Sequence, residues 1–217
     1  MKVMTSSGPA NMDLSLNKLP REELREIRAE FDNQGVYVYQ AFRAEIAKSA
    51  VALGTFGPDF SLNRFTWIKP SLGWMLYRSR YAENRGQEAI LRIKIGHQDF
   101  QDILRQVVPA IFEPGLSPSV DDWHGKLKLH DLRFQWDPGR DLSMQKIPHL
   151  RSLQIGIGPS HIRQYVNNWI MEVTDVTEAI KKLRAVKGRD RPAACPFVER
   201  VYDLPVDIKK NLGMQTD

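Results

Sequence analysis

The sequence predicts an α+β fold in which curved mixed or antiparallel sheets are flanked by helices. Short segments with a two-residue hydrophobic period alternate with segments whose apolar residues recur every three or four positions. These segments do not follow a strict strand–helix–strand order, so a doubly wound parallel sheet is disfavoured. The 217 residues, 42% of them hydrophobic, suit one domain with a real core. We therefore expect a single globular domain over residues 19–217, after a flexible leader at 1–18.

Composition narrows the possible classes of protein. Cys195 is the single cysteine, so an internal disulfide and a multi-cysteine zinc site are excluded, and a reducing compartment is expected. The five histidines never fall at a spacing of three or four, so we expect no metal site. Apolar runs are too short for a membrane helix, and the first residues lack the apolar core of a secretory signal. The composition predicts a cytoplasmic protein without membrane attachment.

In the first half of the chain, Pro20 and two following glutamates predict a helix over 21–30. Dense apolar residues predict a strand over 36–42, and helical spacing predicts a helix over 44–53 that ends at Gly54. After a loop over 56–64, we expect a strand over 65–68 and a helix that begins near Pro70. Alternation then predicts a strand over 89–95, and an amphipathic pattern predicts a helix over 99–108.

The second half begins with a segment rich in Pro and Gly, residues 109–125, which predicts a long surface loop. Strands are expected over 127–136 and 152–157, with a turn at 137–139 after the first of them. Pro159 predicts the start of a helix over 159–170, and Asp175 with Glu178 predicts the start of another. A last strand is expected over 198–204.

The net charge of +5 is concentrated near the carboxyl terminus, where residues 181–200 carry seven basic and two acidic side chains. Such a run is typical either of a phosphate-binding surface or of a solvated helix end. If it binds RNA, we expect Lys181, Lys182 and Arg184 to contact the phosphates.

Residues 64–79 combine aromatic and basic side chains at a predicted strand-to-helix junction. Alternation directs Arg64 and Thr66 to one face of the strand and Trp67 and Lys69 to the other. Lys69 and Ser71 lie at the junction, where free N–H groups and the helix dipole attract anions. On the helix, Trp74, Tyr77 and Arg78 share a face. This pattern suits either a stacked base with a phosphate or an ordinary aromatic core with surface cations.

Gln135 and Asp137 point the same way from a second predicted strand end, separated by Trp136. Two short polar side chains on one face can hydrogen-bond a sugar diol or position a nucleophile. Alternatively, Asp137 simply begins a turn, because Pro138 and Gly139 follow it.

Six segments carry a family resemblance, among them Phe65–Ser71 (FTWIKPS), Trp74–Ser79 (WMLYRS) and Gln135–Pro138 (QWDP). With residues 27–30, 38–42 and 153–156, they resemble the domain of unknown function 4291 family in order over roughly residues 24 to 205. That resemblance implies no activity.

The chain is more distantly similar to the ADP-ribosyltransferase core. That similarity implies that NAD binds in a cleft between two small sheets, with Gln40 at the first motif position, Thr66 or Ser71 at the second and Asp137 at the third. The usual first residue is His or Arg, which Arg28 or Arg43 could supply, and the usual third residue is Glu, one methylene longer than Asp137.

The resemblance favours an enzyme of ADP-ribosyltransferase type that takes NAD. Trp67, Tyr77 or Tyr39 would then stack on its rings, and Lys69, Arg64 and Arg78 would neutralise the diphosphate. Asp137, Gln135 and Lys69 are the candidate catalytic residues, since a carboxylate can stabilise positive charge that develops on the ribose. The alternatives are a transferase acting on RNA or tRNA, an RNA-binding module, and an interaction module without catalysis.

Overall fold

The computed structural model describes residues 23–216, so the expected leader lies outside the described residues. Ten strands are assigned: β1 (Leu24–Arg25), β2 (Arg28–Ala29), β3 (Gly35–Phe42), β4 (Thr66–Ile68), β5 (Ala89–Gly96), β6 (Val108–Pro109), β7 (Leu132–Arg140), β8 (Lys146–Ile157), β9 (Ile170–Asp175) and β10 (Arg200–Val201). The α-helices are α1 (Ala44–Leu53), α2 (Leu72–Ser79), α3 (His97–Gln106), α4 (Val120–Leu129), α5 (Pro159–Gln164), α6 (Thr177–Ala185), α7 (Arg191–Ala194) and α8 (Val206–Asn211). A π-helical segment, Tyr165–Trp169, extends α5.

Two main sheets confirm the predicted α+β class. In the first sheet, β8 pairs antiparallel with β7 along one edge and carries β1 (parallel) and β4 (antiparallel) along the other. Strand β6 extends this sheet by pairing parallel with β7. The second sheet is antiparallel and has the order β3–β5–β9, and β2 pairs separately with β10. No helix within residues 23–216 is long and apolar enough to cross a membrane.

The main core lies between the two sheets. Val38 and Ile93 from the second sheet and Phe134, Leu153 and Ile155 from the first belong to one cluster of buried side chains. Burial of these apolar surfaces supplies most of the free energy that holds the sheets together. Polar residues of β7 and β8 lie on the opposite face of the first sheet.

The sheets are joined directly at Tyr39 and Lys69. The amide of Tyr39 donates to the carbonyl of Lys69 (2.7 Å), and the amide of Lys69 donates to the carbonyl of Tyr39 (3.2 Å). Beside this bridge, the Gln40 amide donates to the Thr66 hydroxyl (2.7 Å), while its carbonyl oxygen accepts from the Tyr165 hydroxyl (2.8 Å). These bonds fix the end of β4 against the middle of β3.

The predicted helix over 21–30 is wrong in its described part. Leu24 and Arg25 pair with β8, and Arg28 and Ala29 pair with β10. Ile27, between the two strands, is buried. Pairing with distant segments and burial outweigh the local helical preference of this segment.

The expected loop over 109–125 is also partly wrong, because it contains the start of α4. Ser119 caps that helix by accepting from the amide of Asp122 (3.1 Å). Since α4 continues to Leu129, the strand predicted over 127–136 begins only at Leu132. The turn predicted at 137–139 is a bulged continuation of β7 to Arg140. Pro138 fits there because β6 pairs only with residues 133 and 134, which leaves the other side of Pro138 unpaired.

The predicted strands over 36–42, 65–68 and 89–95 and the helix over 44–53 are confirmed to within one residue at each end. The strand predicted over 152–157 is also present but begins six residues earlier, at Lys146. Gly54 ends α1 in the left-handed conformation (φ 70°), as expected for a glycine cap. The helix after Pro70 begins at Leu72, because Ser71 caps it. The strand expected over 198–204 is confined to Arg200–Val201.

Close packing of α2 against β7 depends on Gly73. A Cβ at this position would lie 2.2 Å from the carbonyl oxygen of Arg140, a backbone atom that cannot rotate away. We expect Gly73→Ala to lower the free energy of unfolding by about 1–3 kcal/mol, measured by chemical denaturation.

Gly125 in α4 is the matched control, because a Cβ there meets no neighbouring heavy atom within 4 Å. Gly125→Ala should raise stability by up to about 1 kcal/mol through helix propensity. Equal effects of the two substitutions would show that α2 does not pack on β7 as described.

Candidate functional site

A row of polar residues lies on the face of the first sheet that points away from the core. In the strand register, Trp67 is opposite Gly156, Gln135 is opposite Gln154, and Asp137 is opposite Ser152. Directly opposed residues project to the same face, and Lys69, two residues after Trp67, joins them. A Cβ at Gly156 would lie 2.9 Å from the Trp67 ring, so the indole can cover this strand only because residue 156 is glycine.

Lys69 is a buried amine, with only 4% of the residue exposed. Its Nζ donates to the carbonyl oxygen Oε1 of Gln154 and lies 3.6 Å from the centre of the Trp74 ring. No carboxylate among the described residues lies within 4.0 Å of it. Burial lowers the pKa of Lys69 to about 7; the charge of Asp137 opposes this shift, and the charge of Arg78 adds to it.

Asp137 is the acidic group of this sheet face. Its Oδ1 accepts from the Gln135 amide (2.9 Å), whereas its buried Oδ2 receives no hydrogen bond from the described residues. Burial raises the pKa of Asp137, and the opposing influences are the charge of Lys69, the bond from Gln135 and the charge of Arg151. Burial therefore disfavours the charged forms of both Lys69 and Asp137, and the charge of each group favours the charged form of the other.

A cleft of about 490 Å³ opens over this face, between the ends of β3, β4 and α2. Its size falls within the range of about 300–1,000 Å³ that is usual for small-molecule sites. Neutral amides from Gln87, Gln135 and Gln154 and the rings of Phe65 and Trp74 contribute to its walls. Seven of the predicted site residues also line it: Gln40, Arg64, Thr66, Trp67, Lys69, Arg78 and Gln135.

Arg64 and Arg78 are the exposed cations of the cleft. Neither forms an ion pair with a described residue. With Lys69 they give the cleft three basic side chains, beside the partly exposed ring of Trp67, which can stack on a planar group. The arrangement can hold an anionic ligand with an aromatic part.

The structure separates other predicted site residues from the cleft. Tyr39 is fully buried, and its hydroxyl donates to Glu30 (3.2 Å), so its ring is not available for stacking on a ligand. Tyr77 is 44% exposed but stacks on the guanidinium of Arg140, 3.8 Å from its ring centre. The Ser71 hydroxyl accepts from the amide of Trp74 (3.4 Å) as a helix cap.

Gln40 and Thr66 touch the cleft but serve mainly the joint between the sheets, because both hydrogen-bonding ends of Gln40 are already used. The predicted RNA contacts lie on α6. Lys181 pairs with Glu178 (2.8 Å), Arg184 contacts Glu83, and Lys182 is exposed. None of these three lines the cleft.

Two residues of the region were not predicted. Gln154 is the direct partner of Lys69, and the alternation of polar and apolar residues in 152–155 was the available signal. Glu199 places its carboxylate at the start of α2, where it accepts from the backbone amides of Leu72 and Gly73. Burial raises the pKa of Glu199 to about 7. No local pattern identifies Glu199, since its partners lie more than 120 residues earlier in the chain.

A second cavity of about 330 Å³ lies on the other side of the α2 start and is lined in part by Ser71, Cys195 and Glu199. Burial raises the pKa of the Cys195 thiol, which favours an unreactive thiol. No cluster of three or more His, Cys, Asp or Glu side chains that could hold a metal ion occurs within residues 23–216.

Comparison with known proteins identifies one family. The model of the domain of unknown function DUF4291 matches residues 26–202, which include every strand and helix that lines the cleft. No curated protein matches the chain significantly.

The low pKa of Lys69 makes stability depend on pH. Between pH 7 and 10.5 the unfolded chain keeps this proton and the folded protein does not, so stability should rise with pH in that window. We expect the free energy of unfolding of the wild type, minus that of Lys69→Met, to increase by about 3 kcal/mol between pH 7 and 9.5.

The same substitution at Lys48, an exposed residue of α1, controls for the loss of a surface charge. Denaturant titrations at a series of pH values give the comparison. If the free energy of unfolding of the wild type minus that of Lys69→Met does not change between pH 7 and 9.5, the amine is fully charged in the folded protein.

Proposed function

Since the chain belongs to the DUF4291 family, whose description assigns no activity, we propose from the geometry of its own cleft that it is an ADP-ribosyltransferase that takes NAD as substrate. The observation that carries the proposal is the cleft itself, which combines the buried amine of Lys69 with the exposed side chains of Arg64 and Arg78. The indole of Trp67 lines the same space, and the half-buried Asp137 lies on the same sheet face. A dinucleotide has two phosphates and two planar bases, and these residue types match those groups.

In the proposed complex, Arg64 and Arg78 contact the diphosphate, because they are the exposed cations of the cleft. Trp67 offers its ring to a base; the indole already packs against Gly156 and therefore loses little conformational entropy on binding. Lys69 lies deeper and adds positive charge when an anion approaches.

Transfer of ADP-ribose breaks the bond between the ribose C1′ and the nicotinamide nitrogen, and the electron pair leaves with neutral nicotinamide. The acceptor nucleophile forms the new bond to C1′ and gives up a proton. Positive charge develops on the ribose as the bond breaks, and a fixed carboxylate stabilises it most strongly in a site with little water. Asp137 fits this role because Gln135 fixes its Oδ1 while Oδ2 has no donor among the described residues.

Asp137→Asn tests this assignment, because it removes the negative charge at nearly constant size. We expect the rate of NAD cleavage to fall by about 10²-fold or more, while the Kd for NAD changes by less than about threefold. Nicotinamide release and calorimetric titration supply the two quantities. Equal losses of rate and affinity would reject the catalytic role and leave Asp137 as a binding residue.

Arg78→Ala tests the phosphate contacts. Loss of a charge-assisted hydrogen bond should weaken binding of both NAD and ADP-ribose by about tenfold, or about 1.4 kcal/mol. Nicotinamide riboside, which has no phosphate, should bind the variant and the wild type equally. The same substitution at Lys182 on α6 is the matched control and should leave NAD binding unchanged.

The RNA hypothesis predicts a different pattern. Binding of tRNA that falls steeply with salt, and that weakens when Lys181, Lys182 and Arg184 are changed to Ala, would favour it. We rank it second, because two of these three side chains already contact acidic residues. Binding of tRNA without any binding of NAD would reverse that order.

A further inference from the structure

Two lysines within residues 23–216 expose little of their surface, and their surroundings differ. Lys94, with 6% of its side chain exposed, forms an ion pair with Asp32 (2.7 Å) and donates to Gln34 (2.8 Å). Lys69 exposes a similarly small part of its surface, and its amine contacts a neutral amide oxygen and an indole face. Burial is the main influence on its pKa, whereas the bond to Asp32 is the main influence at Lys94. Lys69 is therefore a buried lysine that faces a cleft and has no acidic partner within ion-pair distance among the described residues.

An amine in these surroundings loses its proton easily. The charged groups that face Lys69 are Arg78 from α2, which disfavours the ammonium form, and Asp137 from β7, which favours it. Its other neighbours, Trp74 and Gln154, are neutral. With a pKa of about 7, roughly half of the amine is neutral at neutral pH, against about one part in 10³ for an ordinary lysine. A neutral amine is the nucleophilic form.

The amine is also held in place. Both backbone hydrogen bonds of Lys69 go to Tyr39, and the side chain is fixed between Gln154 and Trp74. A positioned nucleophile reacts faster than a free one, because its entropy has already been lost on folding. The cleft above it has room for a small ligand, and Arg64 and Arg78 line the same space as exposed cations.

We propose that Lys69 forms an imine with the carbonyl group of a phosphorylated aldehyde, such as the open-chain form of a sugar phosphate, whose phosphate is held by Arg64 and Arg78. Nζ of the neutral amine attacks the carbonyl carbon and forms the C–N bond as the C=O π bond breaks, and one amine proton passes to the oxygen. The resulting hydroxyl group takes the second amine proton and leaves as water when the C–O bond breaks and the C=N bond forms. No oxidant or reductant is required.

The experiment traps the imine. The full-length protein is incubated with glyceraldehyde 3-phosphate or with glyceraldehyde at equal concentration, treated with sodium borohydride, digested and mapped by mass spectrometry. We expect a reduced adduct at Lys69 at least about tenfold more abundant than at any other lysine. Glyceraldehyde should give at least about tenfold less of it, since it lacks the phosphate. Equal labelling by both probes would overturn the assigned class of ligand.

Internal and mutational controls complete the test. Lys94 should stay unlabelled, because its amine is paired with Asp32. Lys69→Arg keeps a cation but has no primary amine, so its adduct should disappear; if this variant does not fold, mapping of the wild type still decides. Labelling of Lys69 should reach half its maximum near pH 7. A half-maximum above pH 9, or labelling spread evenly over surface lysines, would overturn the proposal.

This proposal does not depend on the transferase activity, and the same samples distinguish the two. Labelling of Lys69 that persists in saturating NAD, with no calorimetric signal for NAD, would support the imine and reject the proposed function. Calorimetric binding of NAD without any trapped adduct would reject the imine and retain the proposed function.

Discussion

The site depends on two backbone hydrogen bonds between Tyr39 and Lys69, in which each residue donates to the carbonyl of the other. Tyr39 belongs to the second sheet and Lys69 continues β4 of the first, so this pair, together with the bonds from Gln40 to β4, fixes the position of one sheet relative to the other. The Lys69 side chain therefore lines the cleft, although burial disfavours its charged form. Burial of the core between the sheets supplies the free energy that keeps the amine there.

Three groups whose charged forms are disfavoured by burial are located around the start of α2. Lys69 precedes the helix, Glu199 binds the first amides of the helix, and Asp137 lies on the neighbouring strand β7. Burial lowers the pKa of Lys69 and raises the pKa of both acids. Lys69 and Glu199 therefore both titrate near pH 7. Such clusters occur mostly at functional sites, since an ordinary core avoids charged groups.

Sequence patterns correctly predicted those features that depend only on neighbouring residues in the chain. The alternation that separates Trp67 and Lys69 from Thr66 and Ile68 is confirmed, and so is the common direction of Gln135 and Asp137. The two-residue strands β1 and β2 could not be predicted, because they exist only through pairing with β8 and β10. Glu199 could not be predicted for the same reason, because its partners at the start of α2 are distant in the chain. Helix α4, by contrast, could have been predicted, because Ser119 followed three residues later by Asp122 is typical of a helix start. The surrounding prolines and glycines favoured the prediction of a loop instead.

Lys69 and Lys94 show how burial and the partner of an amine together decide its chemistry. Asp32 raises the pKa of Lys94 and keeps its amine protonated, so that this ion pair serves the fold. At Lys69 the corresponding negative charge must come from a ligand. A phosphate beside Nζ favours the ammonium form and draws a proton from solvent on binding. A carbonyl instead consumes the neutral amine. The direction of proton exchange on binding therefore separates a phosphate-binding lysine from a covalent nucleophile. Both roles are open to Lys69 because no carboxylate within residues 23–216 lies within 4.0 Å of its amine.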